Sequence, residues 1–144
     1  MNNIAANWNS ILLTLTLAFY SIFSHSQTDN DSLLSQGTEY YEAKEYKLAK
    51  ETFEKLTELE PENSNYYHWL GKSYGRIAEN APWLTAMSMA KKTRKSFEKA
   101  IELDSANIPA LADLKQYYLD APGFLGGSKK KAEEIDKILQ KLSK

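Results

Sequence analysis

FEKLTELEPEN at residues 53–63 returns without a gap as FEKAIELDSAN at residues 97–107, an offset of 44. Gly37 and Tyr40 have their own echo 34 positions on, at Gly71 and Tyr74. Self-similarity at this spacing is the mark of a helical solenoid, whose units cannot bury their apolar faces alone and therefore stack. The two offsets differ by ten, so the extra residues lie between Tyr74 and Phe97.

Around this repeat, the apolar residues fall at helical spacing. Leu33, Gly37, Tyr40 and Tyr41 share one helical face, and Leu48, Ala49, Phe53, Leu56 and Leu59 share another. Ala43-Lys44-Glu45 reads as the turn between these helices. Glu60-Pro61-Glu62-Asn63 reads as a stop, because proline disfavours a helical conformation in the residue before it. No segment has the alternation of a strand.

Helix, turn, helix and proline stop, with these residues at these places, resembles the tetratricopeptide repeat family, whose unit is a pair of antiparallel helices. In the first repeat (about 30–63) the family's positions are filled by Gly37, Tyr40, Tyr46, Ala49, Phe53 and Pro61, with Leu56 where a small residue is usual. The second (about 64–107) opens with Leu70, Gly71 and Tyr74 and closes with Phe97, Ala100 and Asp104-Ser105. The third (about 108–142) offers Leu111, Leu114 and Tyr118, puts Lys115 where Gly is usual, and resumes its second helix at Ala132. The resemblance implies an all-α protein: a short right-handed α-solenoid of about three helix pairs, of the kind found in small exported bacterial proteins.

Two insertions interrupt the pattern, and both begin with Ala-Pro, at Ala81-Pro82 and Ala121-Pro122. In the first, Pro82 suits a helix start, and Trp83, Met87, Ala90, Phe97 and Ile101 keep helical spacing. The second helix of that repeat is therefore expected to run to about twenty residues and to project past its neighbours. In the second, Gly123, Gly126 and Gly127 read as a compact loop, with Ser128 capping a last helix. That helix should bury Ala132, Ile135, Ile138, Leu139 and Leu142 and cover its outer face with lysines and acids.

Residues 1–26 are of another class. They hold no Asp, Glu, Lys or Arg, and their apolar core runs from Ile11 to Phe23. Such a stretch is too short to span a bilayer, which needs roughly 20 residues. With Ser24-His25-Ser26 as a small-residue cleavage site, it reads as a secretory signal peptide cut before Gln27, the alternative being an uncleaved anchor. The domain then occupies 27–144, exported to the periplasm or secreted, with no membrane span after cleavage. The chain contains no cysteine, which excludes disulfides, thiolate metal sites and an amino-terminal lipidated cysteine.

Composition narrows the function. Lys and Arg number 18 against 19 acidic residues, so no net positive field recruits nucleic acid. The mature chain has a single histidine, His68, and its serines have no base at a productive spacing, so no enzyme activity, metal or cofactor is expected. GFLGGSKKK (123–131) lacks the order of a phosphate loop, and its lysines read as solvated.

Binding remains. The resemblance places Tyr41, Trp69, Lys72, Arg76 and Gln116 on the groove lined by the first helices, where a peptide or protein partner would dock, with Trp69 equally suited to packing between repeats. The family's grip on a terminal carboxylate is not implied, because the corresponding places hold Leu34, Thr38, Trp69, Pro109 and Asp113. The alternative is a structural subunit that docks on another chain through Trp83, Leu84, Met87 and Met89.

Overall fold

Local chemistry sets where each helix begins and ends. The computed structural model describes residues 29–143, so the secretory segment expected at 1–26 lies outside the described residues. The chain forms two compact units, Met1–Leu33 and Leu34–Lys144. Of the first, residues 29–33 are described, and they are helical.

In the second unit, α1 (residues 29–42, shared with the first unit) ends in a left-handed residue, Lys44, at φ 64°. The Glu45 amide reaches back to the Tyr40 carbonyl at 2.8 Å and the Lys44 amide to that of Tyr41 at 3.0 Å, which is the Schellman pattern that satisfies terminal carbonyls. The chain then turns into α2 (Tyr46–Leu59). Asn63 opens α3 (Ser64–Glu79), its side chain accepting from the Asn65 amide. Pro82 precedes α4 (Trp83–Leu103), which has 21 residues, and Asn107 caps α5 (Ile108–Asp120) through the Ala110 amide. A 3-10 turn (Gly123–Leu125) leads to α6 (Lys129–Leu142), capped by Ser128. Among the described residues there is no strand, and no helix is long and apolar enough to cross a membrane.

Consecutive helices from α2 to α6 pack on each other in chain order. Small residues face aromatic ones at two of the contacts. A methyl group placed on Gly37 would lie 2.9 Å from the Phe53 ring, and one on Gly71 would lie 2.6 Å from that of Phe97. The missing side chains therefore set how closely α1 approaches α2 and α3 approaches α4. Phe53 is fully buried, which contributes about 1.5–3 kcal/mol to folding. Lys115 stands where a third glycine would be, and its ammonium instead holds Asp136 of α6 at 2.8 Å.

A polar pattern also recurs at the offset of 44. The Tyr74 hydroxyl donates to Glu54, which pairs with Lys50 at 3.2 Å, while the Tyr118 hydroxyl donates to Glu98 at 2.8 Å and Glu98 pairs with Arg94 at 3.1 Å. The first contact joins α2 to α3, and the second joins α4 to α5. Phe97, Leu111, Leu114, Tyr118, Ala132 and Ile135 form the core at the carboxy-terminal end.

Two expectations need correction. Ile138 and Leu142, assigned to the buried stripe of α6, are 40% and 41% exposed, because among the described helices α6 packs against α5 alone. The start of α4 does not stand clear of its surroundings either. Although Trp83 and Leu84 remain exposed, the 3-10 turn of the second insertion packs against α4, and the Trp83 and Phe124 rings lie 6.1 Å apart.

Candidate functional site

Four of the five side chains nominated from the sequence stand together. Tyr41, near the end of α1, meets Trp69 of α3 edge to face with ring centroids 5.3 Å apart, and Trp69 stacks on Phe53 at 5.7 Å. One face of Trp69 packs on α2, and the residue stays partly exposed. One turn along α3, the Lys72 ammonium lies 3.8 Å from the Trp69 ring centroid and 4.7 Å from that of Tyr41. A further turn on, Arg76 sits over the Tyr46 ring at 5.6 Å and holds Glu79 at 2.8 Å.

Helical spacing explains the alignment, since residues 69, 72 and 76 are separated by three and four and share one face of α3. Tyr46 belongs to this cluster as well, opening α2 5.3 Å from Tyr41, although it was not among the five side chains nominated from the sequence. Gln116 stands differently, its amide turned along α5 to Asp120 at 2.8 Å.

The electrostatics of the cluster are mixed. Burial pushes the Tyr41 hydroxyl above its ordinary value, Arg76 opposes the shift, and Tyr46, Asp113 and Glu79 add to it. Hydrogen bonds to Tyr46 and then to Glu79 hold Arg76 more firmly in its charged form. Next to Trp69, the buried His68 contacts Asp113 of α5 at 2.7 Å. His68 thus bridges two helices within the fold. Among the described residues no group of His, Cys, Asp and Glu is arranged to hold a metal ion.

The glycine loop does not form an anion cradle. The amides of Leu125 and Gly127 bond the Pro122 carbonyl, that of Gly126 bonds Gly123, and that of Ser128 bonds Tyr118, at 2.8 to 3.1 Å. Those four amides are spent on the loop's own shape. Gly126 adopts φ 97°, and a methyl on Gly127 would fall 1.7 Å from the Ala121 carbonyl oxygen, so both positions require glycine.

Sequence reading missed an apolar cleft of about 370 Å³ between the ends of α3 and α5, the start of α4 and the 3-10 turn. Trp83, Ala86, Met87 and Ala90 form one wall, and Ala121, Pro122, Leu125 and Tyr117 form the other. Both Ala-Pro insertions open onto this cleft. Their shared opening residues were the one sign of it in the sequence, and their meeting is a tertiary fact.

A comparison with protein-family models and with curated proteins finds no match for this chain.

Proposed function

We propose that the chain is an exported, non-enzymatic interaction module of the tetratricopeptide kind, which binds a peptide or protein through the face built by Tyr41, Tyr46, Trp69, Lys72 and Arg76. The observation that carries this reading is the convergence of three helices on one partly exposed cluster of rings and cations. Tyrosine, tryptophan and arginine dominate binding energetics where such clusters occur, and side chains already held in place lose little freedom on binding. Two further features support a solenoid of helix pairs: the glycine-on-phenylalanine contact and the Tyr–Glu–cation contact each occur twice along the chain.

The test is crosslinking in cells that express the protein, comparing it with a Lys72→Glu, Arg76→Glu variant. Both side chains lie at the surface of α3, so the fold is retained and partner recovery is expected to fall at least about tenfold, as for a reversed charge within an interface. Equal recovery by the variant would remove the cluster from the binding face. Export is tested separately by amino-terminal sequencing, where a mature chain beginning at Gln27 is the expected result and an intact Met1 would point to an anchor.

A structural-subunit role has one observation in its favour: Trp83 and Leu84 are 65% and 76% exposed at the start of α4. Met87 lines the cleft, and Met89 is part-buried. A stable oligomer in solution that a Leu84→Ser change dissociates would establish that role in place of reversible binding.

A further inference from the structure

The cleft between the two insertions has a charged flank. On α4, Trp83, Met87 and Ala90 face the cleft, while Ser88, Lys91, Lys92 and Lys95, also at helical spacing, face an adjoining hollow of about 390 Å³ closed by Gly123–Gly126. Leu125 borders both concavities, and Phe124, 62% exposed, stands over the basic one. One surface therefore offers an apolar slot and, across a hydrophobic ridge, a row of lysines.

Lys92 lies over the Tyr74 ring at 5.1 Å, but Lys91 and Lys95 differ from the cations of the Trp69 cluster. Lys72 is sandwiched against two rings and Arg76 is paired with Glu79, whereas among the described residues Lys91 and Lys95 have no carboxylate partner. Arg94 behind them is paired with Glu98, yet its buried Nε atom has no acceptor. A concentration of unpaired positive charge beside an exposed apolar slot complements a ligand that is acidic and carries an apolar anchor.

We propose that this junction binds an acidic peptide segment. Its apolar side chain enters between Trp83 and Leu125, and its carboxylates lie along Lys91, Lys92 and Lys95. A bilayer fits less well, because the slot is concave and a flat surface cannot enter it. The proposal rests on reading the chain as an interaction module, but at a site separate from the Trp69 cluster.

The experiment uses the full chain and a fluorescein-labelled peptide with a central Leu-Phe pair flanked by glutamates. A second peptide carries lysines in place of the glutamates, and mixed phosphatidylcholine–phosphatidylglycerol vesicles serve as the lipid probe. The acidic peptide should bind and the basic one should not. Lys91→Glu with Lys95→Glu should weaken binding at least about tenfold and flatten its salt dependence. Phe124→Ala should also weaken it, while Lys72→Glu, Arg76→Glu leaves it unchanged. That last variant separates this site from the Trp69 cluster, because either can fail while the other stands. Equal binding of both peptides, no binding of the acidic peptide, or indifference to the Lys91 and Lys95 reversals would each overturn the proposal. So would vesicle binding lost with those lysines in the absence of peptide binding, or self-association abolished by Phe124→Ala. The first of these would assign the patch to lipid, and the second to another copy of this chain.

Discussion

Two glycines one turn apart in α3 have opposite duties. At Gly71 an added methyl would meet the Phe97 ring at 2.6 Å, inside a core that cannot yield without moving the ring, whereas at Gly75 it would meet Thr93 at an ordinary 3.6 Å. Gly71→Ala is therefore expected to destabilise the protein by about 1–3 kcal/mol through overpacking. Gly75→Ala should stabilise it by about 0.5–1 kcal/mol, because glycine in a helix interior carries an entropy cost that alanine avoids. Urea unfolding of both variants checks this, and a loss at both would mean that the two helices do not pack as described. The role of Gly71 was legible in the sequence from its spacing to Phe97's repeat. That of Lys115 was not, since only the fold puts its ammonium against Asp136.

At the scale of elements, the helix starts explain how pairs of helices are tied together. Asn63 and Asn107 occupy equivalent repeat positions, and both cap a helix, but their surroundings differ. Asn107 is buried, and its amide also bonds Ser64 and Asn65 at the start of α3, while Ser64 in turn donates to the Ala100 carbonyl of α4. Asn107→Ala should thus cost about 2–3 kcal/mol, through the lost cap and the polar groups it leaves unpaired. Asn63→Ala should cost about 1 kcal/mol, since beyond the cap its amide bonds only Glu60 of the same turn. Chemical denaturation of the two single variants separates these values, and equal losses would rule out the bridging role.

Helix boundaries of this kind were readable in advance. Ser128 caps α6 as its position implies, and α4 reaches the length that its apolar spacing requires. The fate of the two inserted segments was not, because periodicity reports which face of a helix is apolar and says nothing of what meets it. The exposed Ile138 and Leu142 have the same cause: among the described helices α6 meets α5 alone, which leaves that flank of its stripe uncovered.

At the scale of the molecule, the Tyr–Glu contacts between helix pairs make stability depend on pH at both extremes. Burial pushes the Glu54 carboxyl up, but hydrogen bonds from Tyr74 and Lys50 and the charges of Lys50 and Lys92 outweigh it, so the group lies below the ordinary value of 4.5. A depressed carboxyl contributes its stability above that value and loses it as pH falls through the folded-state value. Burial and the bonds to Glu54 and Glu98 raise the Tyr74 and Tyr118 hydroxyls well above 10.0. Their contribution is complete below pH 10.0 and is lost as pH rises beyond it, since the unfolded chain ionises first. Thermal unfolding followed across pH should show both declines, with Glu54→Gln reducing the acid one and Tyr118→Phe the alkaline one. An unchanged acid decline in Glu54→Gln would show that the carboxylate contributes nothing between the helices.

The sequence by itself determined the helices, their caps and turns, and the small-against-large matching at Gly37 and Gly71. All of these follow from local conformational preference and from a repeat visible in one dimension. It also placed Trp69, Lys72 and Arg76 on one face, because they lie on one helix. Only the tertiary structure decided that Tyr41 and Tyr46 join them, that Gln116 turns instead to Asp120, and that the two Ala-Pro insertions close around a common cleft beside unpaired lysines. Such contacts join residues tens of positions apart, and it is the packing of whole helices, not the preference of any segment, that brings them together.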